Sequence, residues 1–183
     1  DEETAVVPDG ISVVKAMNLL GLPAKERITG VDLADKLLRR AGEQGKSVYL
    51  LGAKEEVVSA LAQKLKAQYP QMEVRYKNGY SKDKDADFRE IEALQPDLVL
   101  VALGVPAQEK LIARHLGNFS KGVFIGVGGS FDVLSGSKRR APALFVKTNT
   151  EWLYRILREP SRLGRFYRNN IKFLGEVRKE AKG

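Results

Sequence analysis

The sequence predicts an α/β protein in which a parallel sheet is covered by helices on both faces and a helical appendage follows. Two observations indicate this fold. From residue 47 to residue 127, short apolar runs and amphipathic segments alternate four times, which is typical of parallel strands joined by helical crossovers. From Pro142 onward the pattern is helical only. We therefore expect a sheet-containing core over residues 1–137 and a basic helical appendage over residues 138–183.

Four segments are predicted to be strands. Residues 47–52 and 98–103 are almost wholly apolar, as expected of strands that are buried on both faces. Residues 72–76 alternate between apolar and polar side chains, and residues 123–127 form another apolar run. The β-branched residues at 6–7 also resemble the end of a strand.

Helices are predicted where apolar residues recur every three or four positions. These segments are residues 11–20, 31–40, 54–68, 83–94, 106–116 and, in the appendage, 142–159 and 161–179. Pro106 suits the first turn of a helix, and Pro160 separates the two appendage helices. The stretch GSKRRAP at residues 136–142 is predicted to be a hinge between the core and the appendage.

Composition excludes several classes of site. The sequence contains no cysteine, which excludes disulfides and thiolate metal sites and favours a reducing compartment. His115 is the only histidine, so no multi-histidine metal site can form, and we expect His115 to have a surface role rather than a catalytic one. No apolar run approaches the roughly 18 residues that span a bilayer, and no signal peptide is visible. We therefore expect a protein that does not cross a membrane.

The excess positive charge lies in the last quarter of the sequence. Residues 138–183 contain 13 Lys and Arg against 4 Asp and Glu, whereas residues 1–137 contain 18 against 19. The net charge of +8 therefore comes from the appendage. A basic segment of this kind favours phosphate-bearing partners or an anionic membrane surface.

Glycine-containing turns follow the predicted strands, at the sheet edge where open parallel sheets bind ligands. The sharpest is Gly128-Gly129-Ser130, whose amides and hydroxyl suit a diphosphate. Asp132 follows this turn and is predicted either to bind a ribose or a base or to cap a helix. The other turns are Leu51-Gly52, Asn78-Gly79-Tyr80 and Leu103-Gly104-Val105-Pro106.

Alternatives remain open for other polar residues. Gln108 and Glu109 either reach into the same crevice or cap the helix that follows Pro106. Tyr80 either stacks on a base or lies on the surface. In the appendage, arginines recur every three or four residues between aromatic side chains, at Arg155, Arg158, Arg162, Arg165 and Arg168. This basic stripe contacts an anionic membrane or nucleic acid, unless it is a solvated face.

Short sequence motifs occur along the chain from residue 7 to residue 162. They are VPDG (7–10), ERITGVDL (26–33), LLG (50–52), NGY (78–80), ALGVPAQE (102–109), IGVGGSFDV (125–133), RAP (140–142), EWLYR (151–155) and REPSR (158–162). Together they cover nearly the whole chain and resemble the WecG/TagA/CpsF glycosyltransferase family.

The resemblance implies a Rossmann-like fold and a transferase that inverts the sugar and uses no metal or cofactor. Its expected reaction moves N-acetylmannosamine from a UDP-sugar to an undecaprenyl-diphosphate-linked GlcNAc, in wall teichoic acid or related polysaccharide synthesis. The alternative donors carry the corresponding uronic acid or glucose. The expected location is cytoplasmic and peripheral, on the inner face of the cell membrane, with the appendage docking on the anionic surface and closing over the site.

The resemblance also implies roles for single residues. Asp9 is the expected base, although its local sequence alone predicts a helix N-cap. The expected contacts to the UDP-sugar come from Arg27, Tyr80, Gly104, Gln108, Glu109, Gly128, Gly129, Ser130 and Asp132. Those to the diphosphate or the lipid acceptor come from Arg155, Arg162 and Arg165.

The sequence departs from the family pattern in two places. Ala107 stands where many members have lysine, which removes one expected charge on the donor side. The sequence also starts without the family segment that precedes the PDG motif, so part of the acceptor pocket is expected to be missing.

Two other functions are compatible with the sequence. One is a non-catalytic nucleic-acid-binding protein that uses the basic appendage, and the other is a nucleotide-sugar enzyme with a soluble acceptor. We expect a lipid-linked acceptor and no nucleic-acid partner. A homo-oligomer is also compatible with the sequence.

Overall fold

A computed structural model of the chain describes residues 4–5, 7–22, 24 and 27–181. Six residues of the C-terminal helices are described by their backbone alone: Arg155, Arg162, Arg165, Arg168, Asn169 and Glu180. The chain divides into two compact units, the sheet unit Gly30–Arg139 and a helical unit. The helical unit comprises the described residues up to Thr29 together with those from Arg140 onward. The predicted domain boundary after residue 137 stays a prediction.

The predicted strands and helices occur in the predicted order among the described residues, with two differences. A short helix at Ser130–Leu134 was not predicted, and two helices stand in place of the one predicted over residues 142–159. The strands are β1 Ser47–Gly52, β2 Glu73–Lys77, β3 Leu98–Ala102 and β4 Val123–Gly126. The helices are α1 Ile11–Leu19, α2 Gly30–Glu43, α3 Glu55–Gln68, α4 Lys84–Leu94, α5 Ala107–His115, α6 Ser130–Leu134, α7 Ala143–Lys147, α8 Glu151–Arg158, α9 Leu163–Phe166 and α10 Phe173–Glu180. The side chain of Asp83 caps α4 by accepting a hydrogen bond from the Ala86 amide at 2.8 Å.

The four strands form a parallel sheet in the order β2-β1-β3-β4, which confirms the predicted α/β fold class. Leu50 of β1 lies opposite Leu100 of β3, and Leu100 lies opposite Ile125 of β4. The chain places β2 on one side of β1 and then crosses over to place β3 on the other side. Open α/β sheets bind ligands outside the carboxyl ends of the strands at such a crossover.

Alternate side chains of the central strands enter two apolar cores, one on each face of the sheet. Leu50 and Leu100 pack with α2, α3 and α6, whereas Tyr49 and Val99 pack with α4 and α5. These four side chains are at most 1% exposed. Burial of a large apolar side chain contributes roughly 1.5–3 kcal/mol, so strands buried on both faces must be apolar throughout.

In the helical unit, α1 packs against α10. Ser12 donates a hydrogen bond from Oγ to Oδ1 of Asn170 at 2.7 Å, and α10 buries Val177. Trp152 of α8 stacks on Phe166 of α9 with 4.3 Å between ring centroids. Pro160 begins a 3-10 turn and so separates the appendage helices as predicted. The second predicted helix consists of that turn, α9, the π-helical turn Tyr167–Lys172 and α10.

The predicted strand end at residues 6–7 is wrong for Val7, and Val6 lies outside the described residues. Val7 lies in irregular backbone. The next residue, Pro8, has no amide hydrogen to donate to a neighbouring strand, and its carbonyl accepts the Ile28 amide at 3.0 Å.

The expectation that His115 lies on the surface is also wrong. His115 is 7% exposed and stacks on Phe88 with 5.0 Å between ring centroids. Its Nε2 lies 2.8 Å from Asp85 and its Nδ1 lies 2.5 Å from Glu92. Hydrogen bonds from His115 and Arg114 hold the pKa of Asp85 below its usual range. The histidine joins α4 to α5 in the sheet unit.

Among the helices that the structure describes, none combines the length and hydropathy needed to span a bilayer.

Candidate functional site

The turns after the four strands lie at the carboxyl edge of the sheet. Gly52 ends β1 with a positive φ of 125°, and a Cβ there would lie 2.4 Å from the carbonyl oxygen of Ala102. Gly79, after β2, donates its amide to Ala53 at 2.8 Å. These two glycines allow the strand ends to approach closely. Gly52 and Gly79 thus have a packing role, whereas the turns after β3 and β4 are expected to contact a ligand.

Gln108 connects the turn after β3 to the turn after β4. Its Oε1 accepts hydrogen bonds from the amides of Gly104 and Gly128, each at 3.1 Å. The side chain is 2% exposed, and its Nε2 donates to Glu109 at 2.8 Å. The alternative that Gln108 or Glu109 caps α5 is wrong, because Pro106 is the N-cap and no side chain caps the helix. The structure therefore gives Gln108 a role in fixing both turns.

The turn Gly128-Gly129-Ser130 uses several of its donors internally. Besides the Gly128 amide, the Ser130 amide and hydroxyl both donate to the Val127 carbonyl, at 3.1 and 2.7 Å. Within the described part of the chain, the Gly129 amide has no internal acceptor. A phosphate at this turn would be bound by the Gly129 amide, and by the Ser130 hydroxyl only if it leaves Val127.

Asp132 and Tyr80 lie beside these turns. Asp132 is the third residue of α6, whose N-cap is Gly129, so the alternative that Asp132 caps this helix is wrong. Its carboxylate forms an ion pair with Lys138 at 3.3 Å. The Tyr80 side chain is 71% exposed, and the Tyr80 amide donates to Oδ1 of Asn78 at 2.9 Å. An exposed ring on a fixed turn is available for stacking.

In the helical unit, Asp9 lies on a loop held by two hydrogen bonds from the ERITG motif. Arg27 donates from Nε to the main-chain carbonyl of Asp9 at 2.8 Å, and the Ile28 amide donates to the Pro8 carbonyl. The Asp9 residue is exposed. The local alternative that Asp9 caps α1 is wrong, because Gly10 is the N-cap and no side chain caps the helix. The carboxylate is therefore exposed to solvent on a constrained loop.

Arg27 also forms a buried ion pair with Glu151, the first residue of α8. The contact expected between Arg27 and the UDP-sugar stays a prediction. The second oxygen of Glu151 lies 3.5 Å from Nε of Arg140. Four sequence motifs thus contribute to one polar network, through Asp9, Arg27, Arg140 and Glu151. Glu151 and Arg140 were not among the predicted site residues. An acidic residue in the first turn of a helix, such as Glu151, is common because of the helix dipole alone.

The three arginines expected to bind phosphate lie in the helical unit. The backbone places Arg155 in α8, Arg162 in the 3-10 turn after Pro160, and Arg165 in α9. Their side chains lie outside the described part of the structure, so their contacts stay predictions.

The described residues contain no group of three or more His, Cys, Asp or Glu side chains that could hold a metal ion.

The sheet unit belongs to the class of open α/β sheets, which bind ligands at their carboxyl edge. Comparison with known families shows that the chain belongs to the glycosyl transferase WecG/TagA/CpsF family, whose model matches residues 1–183. This confirms the resemblance drawn from the motifs.

Two relatives have the same name, N-acetylglucosaminyldiphosphoundecaprenol N-acetyl-beta-D-mannosaminyltransferase. The chain is 41% identical to the one from Bacillus spizizenii (strain ATCC 23059 / NRRL B-14472 / W23) over 158 residues, which cover 86% of this chain and 62% of the relative. It is 39% identical to the one from Staphylococcus aureus (strain MW2) over 166 residues, which cover 90% and 65%. The chain therefore spans less than two thirds of the length of these relatives.

Proposed function

We propose that the chain is the part of a glycosyltransferase that moves N-acetylmannosamine from a UDP-sugar to a polyprenyl-diphosphate-linked GlcNAc acceptor. Family membership supports glycosyl transfer. The names of the relatives support N-acetylmannosamine as the sugar and a lipid-linked diphosphate as the acceptor. The UDP leaving group, inversion and independence of metal belong to the proposal.

The observation that carries the proposal is the loop of Asp9. Its carboxylate is exposed while its backbone is held by Arg27. A general base needs both properties, because it must reach the acceptor hydroxyl and must stay in one position while it takes the proton.

The proposed reaction is a single displacement. Asp9 accepts the proton of the acceptor hydroxyl while the hydroxyl oxygen forms a bond to the anomeric carbon. The bond from that carbon to the UDP phosphate oxygen breaks, and UDP leaves with the electron pair. Attack from the face opposite to UDP inverts the anomeric centre.

The charge of the leaving diphosphate requires donors. We assign this role to the Gly128-Gly129-Ser130 turn and to the guanidinium groups of Arg155, Arg162 and Arg165, since a planar guanidinium can bind phosphate through two hydrogen bonds. The exposed ring of Tyr80 suits stacking on the uracil base. The available amide of Gly129 supports the first assignment.

We propose that the C-terminal helices contact the inner face of the cell membrane. They combine the positive charge of residues 138–183 with exposed apolar side chains, namely Leu144, Leu153, Leu157, Leu163, Tyr167 and Ile171. Apolar groups beside cationic ones favour anionic interfaces.

The deciding experiment offers the chain UDP-N-acetylmannosamine, its uronic acid and UDP-glucose, each with a short-chain lipid-diphosphate-linked GlcNAc in vesicles. We expect transfer from the first donor, with inversion and with activity retained in EDTA. Transfer to water-soluble GlcNAc at the same rate would favour a soluble acceptor. Salt-sensitive RNA binding without transfer would favour the nucleic-acid alternative.

A further inference from the structure

Glu151 is a buried carboxylate that the proposed reaction does not use. It is 4% exposed and lies in the helical unit between two guanidinium groups, those of Arg27 and Arg140. The Arg27 side chain is itself only 12% exposed. A buried carboxylate is costly unless it is paired, so the ion pair with Arg27 fixes both side chains strongly.

The position of the Arg27 guanidinium decides where the Asp9 backbone lies. The guanidinium is a rigid planar group, so the Nη2 that donates to Glu151 sets the direction of the Nε that donates to Asp9. The acceptor of the second bond is the main chain of Asp9 itself, not its carboxylate. The network therefore constrains the proposed base without occupying its reactive oxygens.

We infer that Glu151 is a positioning residue for Asp9, acting through Arg27. The catalytic part of this inference rests on the proposed function, in which Asp9 is the base. Glu151 is the first residue of α8. The C-terminal segment therefore helps to place Asp9 and also carries the basic charge.

Displacement of Asp9 should lower turnover without weakening donor binding. A base that is displaced by about 1 Å loses on the order of 100-fold in rate, whereas the affinity for UDP does not depend on its position. Glu151→Gln keeps the shape and one neutral acceptor but removes the charge that holds Arg27. We expect kcat to fall about 10- to 100-fold. The Kd for UDP should change less than twofold, because Nε and Nη2 of Arg27 bond to Asp9 and Glu151.

The first test measures transfer from UDP-N-acetylmannosamine to the lipid-linked acceptor in single and double variants. Glu151→Gln should lower kcat in the wild-type background and have no further effect in the Asp9→Asn background. Equal losses in both backgrounds would overturn the catalytic role. Glu73→Gln is the matched control, because Glu73 is exposed in β2 of the sheet unit and pairs with Arg75 of the same strand, at 2.9 Å.

The second test does not depend on activity and measures amide hydrogen exchange at Ile28 by NMR. This amide bonds to the Pro8 carbonyl and reports whether the two segments remain joined. In Glu151→Gln we expect about tenfold faster exchange at Ile28, with the core amides of Leu50 and Leu100 unchanged. Glu151→Ala should have a larger effect in the same direction. Unchanged exchange at Ile28 in both variants would overturn the positioning role.

The two tests separate the inference from the proposed function. A wild-type chain that transfers no sugar from any of the three donors would contradict the proposed function, while faster exchange at Ile28 would still support positioning of the loop. Normal wild-type transfer with unchanged exchange would contradict the inference alone.

Discussion

A Cβ atom on Gly126 would lie 2.5 Å from Nε2 of Gln108. Any side chain at position 126 would therefore clash with the side chain of Gln108. Glycine at position 126 lets Gln108 bond to the turns after β3 and β4. These turns are the ones proposed to bind the donor.

The first prediction concerns this packing. Gly126→Ala should displace Gln108, loosen the amides of Gly104 and Gly128, and weaken UDP binding about tenfold. Overpacking should also destabilise the fold by about 1–3 kcal/mol. Isothermal titration with UDP and denaturant unfolding measure the two effects. Gly117→Ala is the control, because a Cβ there meets no atom within 4 Å. Equal UDP affinity in wild type and Gly126→Ala would contradict the assigned role of the turns.

The second prediction concerns the base. Asp9→Asn keeps the backbone carbonyl that Arg27 binds but cannot accept the acceptor proton. Transfer should fall at least 100-fold, which is the lower range for loss of a general base, while the Kd for UDP stays within twofold. The control is Asp35→Asn, since Asp35 is exposed and forms only a loose pair with Arg39. Transfer within tenfold of wild type would exclude Asp9 as the base.

The third prediction concerns stability and pH. Asp97 accepts hydrogen bonds from the Ser47 amide and hydroxyl and from Lys121, and these hold the pKa of its carboxyl well below the usual range. Because the folded pKa is depressed, this stabilisation is complete above the ordinary carboxyl pKa of about 4 and is lost as the pH falls toward the folded pKa.

Asp97→Ala should therefore lower the free energy of unfolding by about 2 kcal/mol at pH 7. The difference from wild type should shrink below about pH 4. Urea unfolding at pH 7 and pH 3 measures it. A deficit that is constant with pH would show that the carboxylate charge is not the source.

The fourth prediction concerns membrane contact. Leu157 is 66% exposed in α8, within the basic segment. Leu157→Gln should reduce co-sedimentation with vesicles that contain phosphatidylglycerol, and added salt should reduce it further. Val123→Gln changes an exposed apolar residue of the sheet unit and should leave vesicle binding unchanged. Equal losses for both variants would remove the helical unit as the specific membrane contact.

The sheet could be predicted because burial on both faces requires apolar residues along the whole strand. Residues 98–103 show this pattern most clearly, and β3 is buried at every position. The boundaries of α4 and α5 followed from Asp83 and Pro106, which act locally at the ends of these helices.

The polar contacts that hold the candidate site could not be predicted, because their partners are distant in sequence. Glu151 pairs with Arg27 across 124 positions, and Gln108 bonds to Gly128 across 20. The burial of His115 depends on Asp85 and Glu92 of another helix. Local sequence left Gln108 either in the ligand crevice or as a helix cap, placed His115 on the surface and indicated no role for Glu151.

Because Glu151 lies in the C-terminal segment, it affects how truncations of this chain are interpreted. A shortened chain that ends before residue 138 loses the basic stripe and, at the same time, the carboxylate that pairs with Arg27. If such a chain were inactive, the loss could come either from weaker attachment to lipid or from a loosened Asp9 loop. A variant that neutralises the exposed Lys172, Arg178 and Lys179 while keeping Glu151, Arg162 and Arg165 separates them. Recruiting that variant to vesicles through an added affinity tag should restore turnover.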